Sequence, residues 1–181
     1  MNAVNKRDLS ISMLPANIVA FFILIPVAVF QFFLFYLIYG SKKTESTVYL
    51  LNLLLFMVLL IASMVVHELI HGLAWIGFGK KAFSAIKLGM QWKTLTPYAH
   101  LKAPIEINVY RISGFMPGFV LGTLPFCLSL VLGDSNLLWF SIIQTAAASG
   151  DWLILWLLRN VKGGMLVEDH PSRAGCYVYE T

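Results

Sequence analysis

The feature that most constrains this chain is the length of its uncharged apolar stretches. Residues 10–41, 46–66, 112–133 and 135–150 contain no Asp, Glu, Lys or Arg. About 20 apolar residues in a helix cross the hydrocarbon core of a bilayer, and helices satisfy their own backbone hydrogen bonds there. Charged residues make up only 12% of the chain, against roughly 25% in ordinary soluble domains. The sequence therefore predicts an all-α integral membrane protein and excludes a disordered chain or a soluble globule.

Four transmembrane helices account for these stretches, in a single membrane-embedded domain over residues 1–181. The predicted spans are approximately 17–39, 48–78, 112–132 and 137–158. The first span is too long for a signal peptide and has no small-residue cleavage site at its end, so we expect it to be retained. Four spans place both termini on the same side of the bilayer.

The distribution of Lys and Arg predicts which side that is. Two precede the first span, six lie in the connection 79–111 and three lie from Arg159 onward, against Lys42 and Lys43 on the other face. Basic residues concentrate in cytoplasmic connections. We therefore expect a multi-pass protein of the cell membrane with cytoplasmic termini. The net charge of +4 follows from this asymmetry and does not indicate nucleic-acid binding.

The connection between the second and third spans is predicted to contain a β-hairpin over 83–101. Every second residue from Ile86 to Trp92 is apolar, and a second extended stretch, 95–101, follows. Such alternation is typical of strands. Open strand edges cannot face lipid, so we place the hairpin at the cytoplasmic interface or in a cavity between the helices. The cytoplasmic tail, 160–181, holds a short strand-like segment at 176–179.

The predicted spans contain four ionisable acid or imidazole side chains, which are His67, Glu68, His71 and Asp151. Groups of this kind inside a membrane indicate a functional site. Residues four apart lie one turn above the other on a helix, so His67 and His71 can reach one metal ion. Glu68 lies about 100° around the helix, where it can stand beside a metal-bound water as a general base. The spacing predicts a zinc site.

Catalytic zinc requires a third protein ligand, with the fourth position left to water. At 1.5 Å of rise per residue from the charged helix ends, Asp151 lies ~12 Å deep and His71 ~14 Å deep. The residues before it, 146–150, are small and permit close helix approach. Asp151 is therefore the predicted third ligand. Glu106 and Glu168, both outside the spans, are the rival candidates.

Further polar residues near this site have open roles. His100, on the predicted hairpin, either assists substrate or transition-state binding or is a solvated interfacial residue. His170 stands beside a proline in a polar segment, which favours a turn. Gln144 and Ser63 extend a polar stripe on the two ligand-bearing helices, where they are candidates to orient the ligands.

These motifs resemble those of the site-2-protease class of intramembrane zinc metalloproteases. More closely, the chain is similar to a bacterial family of small four-helix membrane proteins described as zincin peptidases. The resemblance covers HELIHG at 67–72, residues 99–104, Gly150-Asp151, and the tail segments 168–171 and 175–180.

The resemblance implies that His67, His71 and Asp151 are zinc ligands and that Glu68 is the catalytic base. The chain departs from the site-2-protease pattern in one place. Those enzymes usually have Asp before Gly in a longer element containing Asn and Pro, whereas here Gly150 precedes Asp151.

The leading functional hypothesis is a zinc-dependent intramembrane peptidase that hydrolyses a peptide bond of a membrane protein or peptide near the cytoplasmic face. A helical substrate must unwind to expose its carbonyl, and the hairpin over 83–101 is suited to bind the unwound segment by strand addition. A metal transporter or sensor is an alternative, because such groups at mid-membrane also mark ion pathways. A non-catalytic zinc-binding scaffold is another.

Overall fold

A computed structural model describes residues 5–41, 50–91 and 96–180. In these ranges, four helical segments are long and apolar enough to cross a membrane, as the sequence predicts. The first two are the single helices α1 (Met13–Tyr39) and α2 (Leu50–Gly77). The third comprises α3 (Ile107–Pro117), a π-helical turn (Gly118–Thr123) and α4 (Leu124–Leu132), and the fourth comprises α5 (Ser135–Ala147) and α6 (Ser149–Leu157).

The third segment begins at Ile107, ahead of the predicted position 112. Glu106 sets this boundary, because its carboxylate accepts hydrogen bonds from the backbone N–H groups of Asn108 at 2.8 Å and Val109 at 3.1 Å. Such a cap satisfies N–H groups that have no partner within the helix. The uncharged run alone underestimates the helix because Arg111 lies in its second turn.

The described strands form two antiparallel sheets. A two-stranded sheet contains β2 (Ile86–Gln91) and β3 (Thr96–Leu101), and a short 3-10 turn (Phe83–Ala85) precedes it. A four-stranded sheet, in the order β1-β6-β5-β4, contains β1 (Asn5–Ile11), β4 (Ile105–Glu106), β5 (Leu166–Asp169) and β6 (Ala174–Glu180).

The four-stranded sheet corrects the all-α prediction. The strand-like segment at 176–179 lies within β6, which pairs with β5 on one side and with the N-terminal strand on the other, where Leu9 lies opposite Cys176. The sequence of β1, NKRDLSI, begins with four polar residues and alternates only over its last three. Its extended form depends on a partner more than 160 residues away in the chain, so no local pattern predicts it.

The hairpin occupies the predicted stretch of the chain. Ile86 lies opposite Leu101, and Leu88 lies opposite Ala99. Its connecting residues 92–95 lie outside the described residues. β3 packs against α2, which brings the hairpin beside the helix that carries His67 and His71.

The main apolar core lies where the hairpin, the four-stranded sheet and the helix ends meet. A smaller core joins α1, α4 and α5 through Phe35, Phe126 and Leu138. Members of the main core come from seven elements and the segment after α6: Trp75, Ile86, Leu101, Ile105, Ile107, Tyr110, Leu158, Val161, Val167, Cys176 and Val178.

Two glycines allow the third helical segment to approach the fourth closely. A Cβ atom at Gly122 would lie 2.7 Å from the hydroxyl of Thr145, and one at Gly118 would lie 3.0 Å from the Cβ of Ala148. Ala148 is the break between α5 and α6, where the Ser149 hydroxyl donates to the Ala146 carbonyl at 2.6 Å. This packing places the start of α6 against the bundle, two residues before the predicted third ligand.

We expect Gly175→Ala to open the contact between the two ends of the chain. Gly175 has φ +128°, and an added Cβ would lie 2.2 Å from the carbonyl oxygen of Leu9 on β1. A non-glycine residue in strained backbone costs about 1–3 kcal/mol, and the clash adds to it. The buried Cys176 beside it should then react faster with a maleimide, measured in a Cys127→Ser background.

Gly164→Ala is the matched control, because Gly164 has φ +83° but open space around its missing Cβ. The Gly164→Ala variant therefore has the backbone strain of a positive φ but no steric clash. Equal Cys176 labelling rates in Gly175→Ala and the native chain would contradict the close packing of β1 on β6.

Candidate metal centre

His67, His71 and Asp151 meet inside the helical bundle. Nε2 of His67 lies 3.1 Å from Oδ2 of Asp151, and Nε2 of His71 lies 3.5 Å from Oδ1. The two imidazole side chains are 10% and 11% exposed and the carboxylate is 22% exposed. The donor atoms of all three residues lie within 4.8 Å of one another. α2 supplies both histidines from successive turns, and the packed start of α6 supplies the carboxylate.

The spacing of these donors fits a zinc ion. Two ligand atoms, each about 2.1 Å from a tetrahedral zinc, lie roughly 3.4 Å apart. The two histidine–aspartate separations, 3.1 and 3.5 Å, bracket this value. Two imidazoles and one carboxylate are also a donor set found in catalytic zinc sites, where water takes the fourth position. His67, His71 and Asp151 are therefore suited to hold zinc with one position open.

Glu68 lies beside this cluster and is held from the opposite side. Its carboxylate accepts a hydrogen bond from the backbone N–H of Ala99 on β3 at 2.6 Å. Glu68, His71 and Asp151 border the same cavity. The hairpin thus orients the glutamate next to the three donors, while the glutamate is not one of them.

The two rival glutamates are engaged elsewhere. Glu106 caps α3, and its other carboxylate oxygen accepts from the N–H of Gly164 at 2.8 Å. Glu168 accepts from Lys6 at 3.3 Å and from the hydroxyl of Tyr179. The Tyr179 hydrogen bond lowers the pKa of Glu168, although desolvation opposes it. The structure brings Asp151 to the histidine pair. It places both glutamates in the four-stranded sheet.

The predicted polar stripe is present, but its members bond to each other. The side-chain amide of Gln144 donates to the hydroxyl of Ser63 at 2.5 Å, and that hydroxyl donates to the carbonyl of Leu60 at 2.7 Å. This pair joins α5 to α2 one helical turn from His67. It fixes the distance between the two ligand-bearing segments and has no direct hydrogen bond to a ligand. His71 also stacks on the indole of Trp75, with ring centroids 6.0 Å apart.

Two openings meet at Glu68. A polar cavity of about 280 Å³ extends from it toward β3 and the tail around 169–175. An apolar groove of about 490 Å³ lies on the other side, between α2 and α5, with Met64 and Ile143 in its walls and His67 and Glu68 at its end. The glutamate is therefore reached both from the bundle surface and from the side of the two sheets.

The far wall of the polar cavity holds a cluster that the sequence analysis did not connect. Asp169 accepts from the hydroxyl of Tyr110 at 2.7 Å, and its second oxygen lies 3.5 Å from Nδ1 of His100. The hydrogen bond to Asp169 raises the pKa of His100, although desolvation opposes it. These residues come from α3, β3 and β5, so no sequence spacing relates them. His170 forms the predicted turn, where its Nδ1 accepts two backbone N–H groups.

The edge of β3 that faces the metal centre has few free donors. The N–H of Ala99 goes to Glu68, and that of Leu101 goes to Asp169 at 3.5 Å. Pro97, two residues earlier on the same edge, has no N–H. A substrate strand that pairs with this edge must therefore take the Ala99 N–H from Glu68.

These features define a multi-pass membrane protein with a zincin-type set of metal donors. The model of the family described as putative zincin peptidase matches residues 60–166, which is more than half of the chain and includes His67, Glu68, His71 and Asp151. The chain belongs to this family. Its description supports a zinc metallopeptidase. No curated protein and no solved structure matches the chain.

We expect about one zinc ion per chain in purified native protein, as in a mononuclear catalytic site. His67→Ala and Asp151→Ala should each lose most of it, because two remaining protein donors hold zinc weakly. Elemental analysis of detergent-purified protein measures the ratio directly.

Glu106→Gln is the control, since glutamine keeps an acceptor for the α3 cap and Glu106 lies outside the cluster. Zinc retained by Asp151→Ala at the native ratio would rule out Asp151 as a ligand.

Proposed function

We propose that this protein is a zinc-dependent intramembrane peptidase that hydrolyses a peptide bond of a membrane protein or peptide near the cytoplasmic face. The observation that carries the proposal is the convergence of His67, His71 and Asp151 beside Glu68, in a membrane protein of a zincin family. The arrangement resembles that of the site-2-protease class, in which a transmembrane helix carries the two histidines and a later helix the aspartate.

His67, His71 and Asp151 hold the metal, and Glu68 moves the proton. Zinc in such a site supplies an activated water molecule and polarises a carbonyl group. Glu68 accepts a proton from the attacking water and passes it to the departing amine nitrogen, so one carboxylate serves both steps. Its position between the donors and the hairpin suits this role, because a substrate on β3 lies within reach of the same carboxylate.

The two openings at Glu68 suit an apolar substrate that becomes extended at the site. The groove between α2 and α5 is apolar and borders His67 and Glu68, so a membrane segment can approach from the bilayer. The unwound backbone then pairs with β3. A substrate carbonyl that accepts the Ala99 N–H frees the Glu68 carboxylate for its proton, which couples substrate binding to release of the base.

The proposed orientation places the tail and the hairpin on the cytoplasmic side of the cell membrane. β1 and β6 pair with each other, so the two described chain ends lie at one end of the bundle. The excess of Lys and Arg in the segments around that end, compared with Lys42 and Lys43, supports a cytoplasmic location.

The geometry favours a peptidase over a metal transporter. Transport requires successive ligand sets along a route through the membrane. Over residues 5–41, 50–91 and 96–180, His67, His71 and Asp151 form the one group of three His, Cys, Asp or Glu side chains close enough to share an ion. A scaffold that uses zinc only for stability has no need of a glutamate bordering the open side of the site.

We expect Glu68→Gln to keep zinc and to reduce cleavage by about 10²–10⁴-fold, the typical contribution of a general base. The amide preserves the shape of the side chain and removes its capacity to accept the proton. Native and variant proteins are reconstituted in vesicles with a panel of tagged single-span membrane proteins, and fragments are identified by mass spectrometry.

Glu168→Gln is the control for loss of a carboxylate outside the metal centre, and its cleavage rate should remain near the native one. Native cleavage by Glu68→Gln would contradict the peptidase mechanism. A native protein that binds zinc but releases no fragment from any of the tagged membrane proteins would favour the non-catalytic zinc-binding scaffold.

Strand addition predicts that Ala99→Pro abolishes cleavage while leaving zinc in place. The proline removes the N–H that a substrate carbonyl must accept. Leu88 lies opposite Ala99 in the register, in a pair whose N–H groups point away from the hairpin, so Leu88→Pro makes the same change on the edge remote from the site. If Ala99→Pro cleaves at the Leu88→Pro rate with zinc retained, substrate does not pair with β3.

A further inference from the structure

The far wall of the polar cavity contains a histidine fixed by a carboxylate. The Asp169 carboxylate receives the Tyr110 hydroxyl at 2.7 Å and the Leu101 N–H at 3.5 Å, and it faces Nδ1 of His100 at 3.5 Å. Its side chain is 19% exposed, whereas that of His100 is 36% exposed. The imidazole therefore faces a carboxylate at Nδ1 and stays partly exposed.

We propose that His100 is a further catalytic residue, which donates a hydrogen bond from Nε2 to the oxygen that becomes negative when a substrate carbonyl is attacked. The proposal rests on the peptidase function proposed above. Asp169 is a positioning residue that acts through His100, and Tyr110 positions Asp169 in turn. The cavity shared by Glu68, Asp151 and His100 places this donor and the base around one substrate.

The pairing with Asp169 leaves Nε2 as the donor available to a ligand. A protonated imidazole carries N–H groups at both nitrogens, and Asp169 engages the one at Nδ1. In the described part of the chain, Nε2 of His100 has no hydrogen-bond partner. A charged donor that is held in advance at the place where charge develops contributes most to this type of stabilisation.

Three other donors that border this cavity are engaged with protein groups. The Tyr110 hydroxyl goes to Asp169, and the Ala99 N–H goes to Glu68. The Arg173 guanidinium lies 3.3 Å from a carboxylate oxygen of Asp8 and 3.1 Å from the carbonyl of Ser10. Arg173 is thus held by β1, whereas the His100 imidazole faces Asp169 through Nδ1 alone.

The surrounding charges favour the protonated imidazole. The hydrogen bond and charge of Asp169 raise the pKa of His100, and Glu168 acts in the same direction, while desolvation and Lys87 oppose them. The charged donor is thus present below the raised pKa and is lost as pH rises through it. Removal of the Asp169 charge moves that loss to lower pH.

The bond changes balance without a net proton transfer from His100. The water oxygen bonds to the carbonyl carbon, the carbonyl π electrons move to its oxygen, and Glu68 takes the water proton. The electron pair on that oxygen then re-forms the C=O bond as the C–N bond breaks, and the C–N electron pair goes to nitrogen, which receives the proton from Glu68. The His100 N–H bonds to the carbonyl oxygen throughout and strengthens while that oxygen is negative.

His100→Asn tests the role of Nε2 in zinc-loaded protein. An asparagine amide can still donate to Asp169 from near the Nδ1 position, so the wall should keep its shape, but it has nothing at the Nε2 position. We expect kcat to fall about 10²-fold, in the range for loss of one such donor, with KM and zinc content near native. His100→Gln, whose amide reaches toward the Nε2 position, should recover part of the rate.

His170→Asn is the matched control. His170 borders the same cavity, but its Nδ1 accepts the N–H groups of Ser172 and Arg173, a role that an asparagine oxygen can take. Its kcat should stay within about twofold of native. Asp169→Asn should move the alkaline limb of the kcat profile to lower pH, a change that a merely structural defect does not produce.

Binding of a phosphinic dipeptide, a stable tetrahedral anion, separates this inference from the peptidase proposal. Calorimetric affinity for zinc-loaded native protein should fall about 10²-fold in His100→Asn and stay unchanged in His170→Asn. Failure of the native protein to cleave any substrate overturns the peptidase proposal, while this affinity difference still tests His100. Native affinity and rate in His100→Asn, or no binding by the native protein, overturn the inference.

Discussion

Ionisable side chains inside an apolar bundle persist only when they share partners, and this constraint organises the whole molecule. Burial of a carboxylate and two imidazoles in lipid is costly unless they pair or hold an ion. Asp151 faces both His67 and His71, so each group compensates the others. The break at Ala148 and the close approach at Gly118 and Gly122 serve this meeting, because they bring α6 to the face of α2 that carries the histidines.

The two sheets form the wall of the polar cavity that lies opposite the metal centre. Helices alone would leave Glu68 open on the side of the hairpin and tail, where water would compete for every polar contact. β3 supplies the Ala99 N–H to Glu68, and β5 supplies Asp169 to His100 and Tyr110. Because β6 pairs with β1, the tail that carries Asp169 is held by the first strand of the chain. The polar cavity thus depends on contacts between segments far apart in sequence.

Sequence reasoning predicted the features that depend on local periodicity. The four apolar segments, the hairpin beginning at Ile86 and the turn at His170 follow from patterns within a few residues. Depth along helices of constant rise predicted Asp151 as the partner of the histidines, but it left Glu106 and Glu168 as rivals. The all-α expectation failed at β1 and β4, since a short strand with little or no alternation becomes extended only when a distant partner supplies its hydrogen bonds.

The sequence by itself determined that the chain enters the membrane and that two histidines and a glutamate occupy adjacent positions on one helix, because hydrophobic length and helical spacing are local properties. Only the tertiary structure decided between Asp151 and the two glutamates, and only it joined His100 to Asp169. Those choices depend on which segments meet in space. That is set by packing of small residues between helices and by strand pairing across the length of the chain, which no single window of sequence encodes.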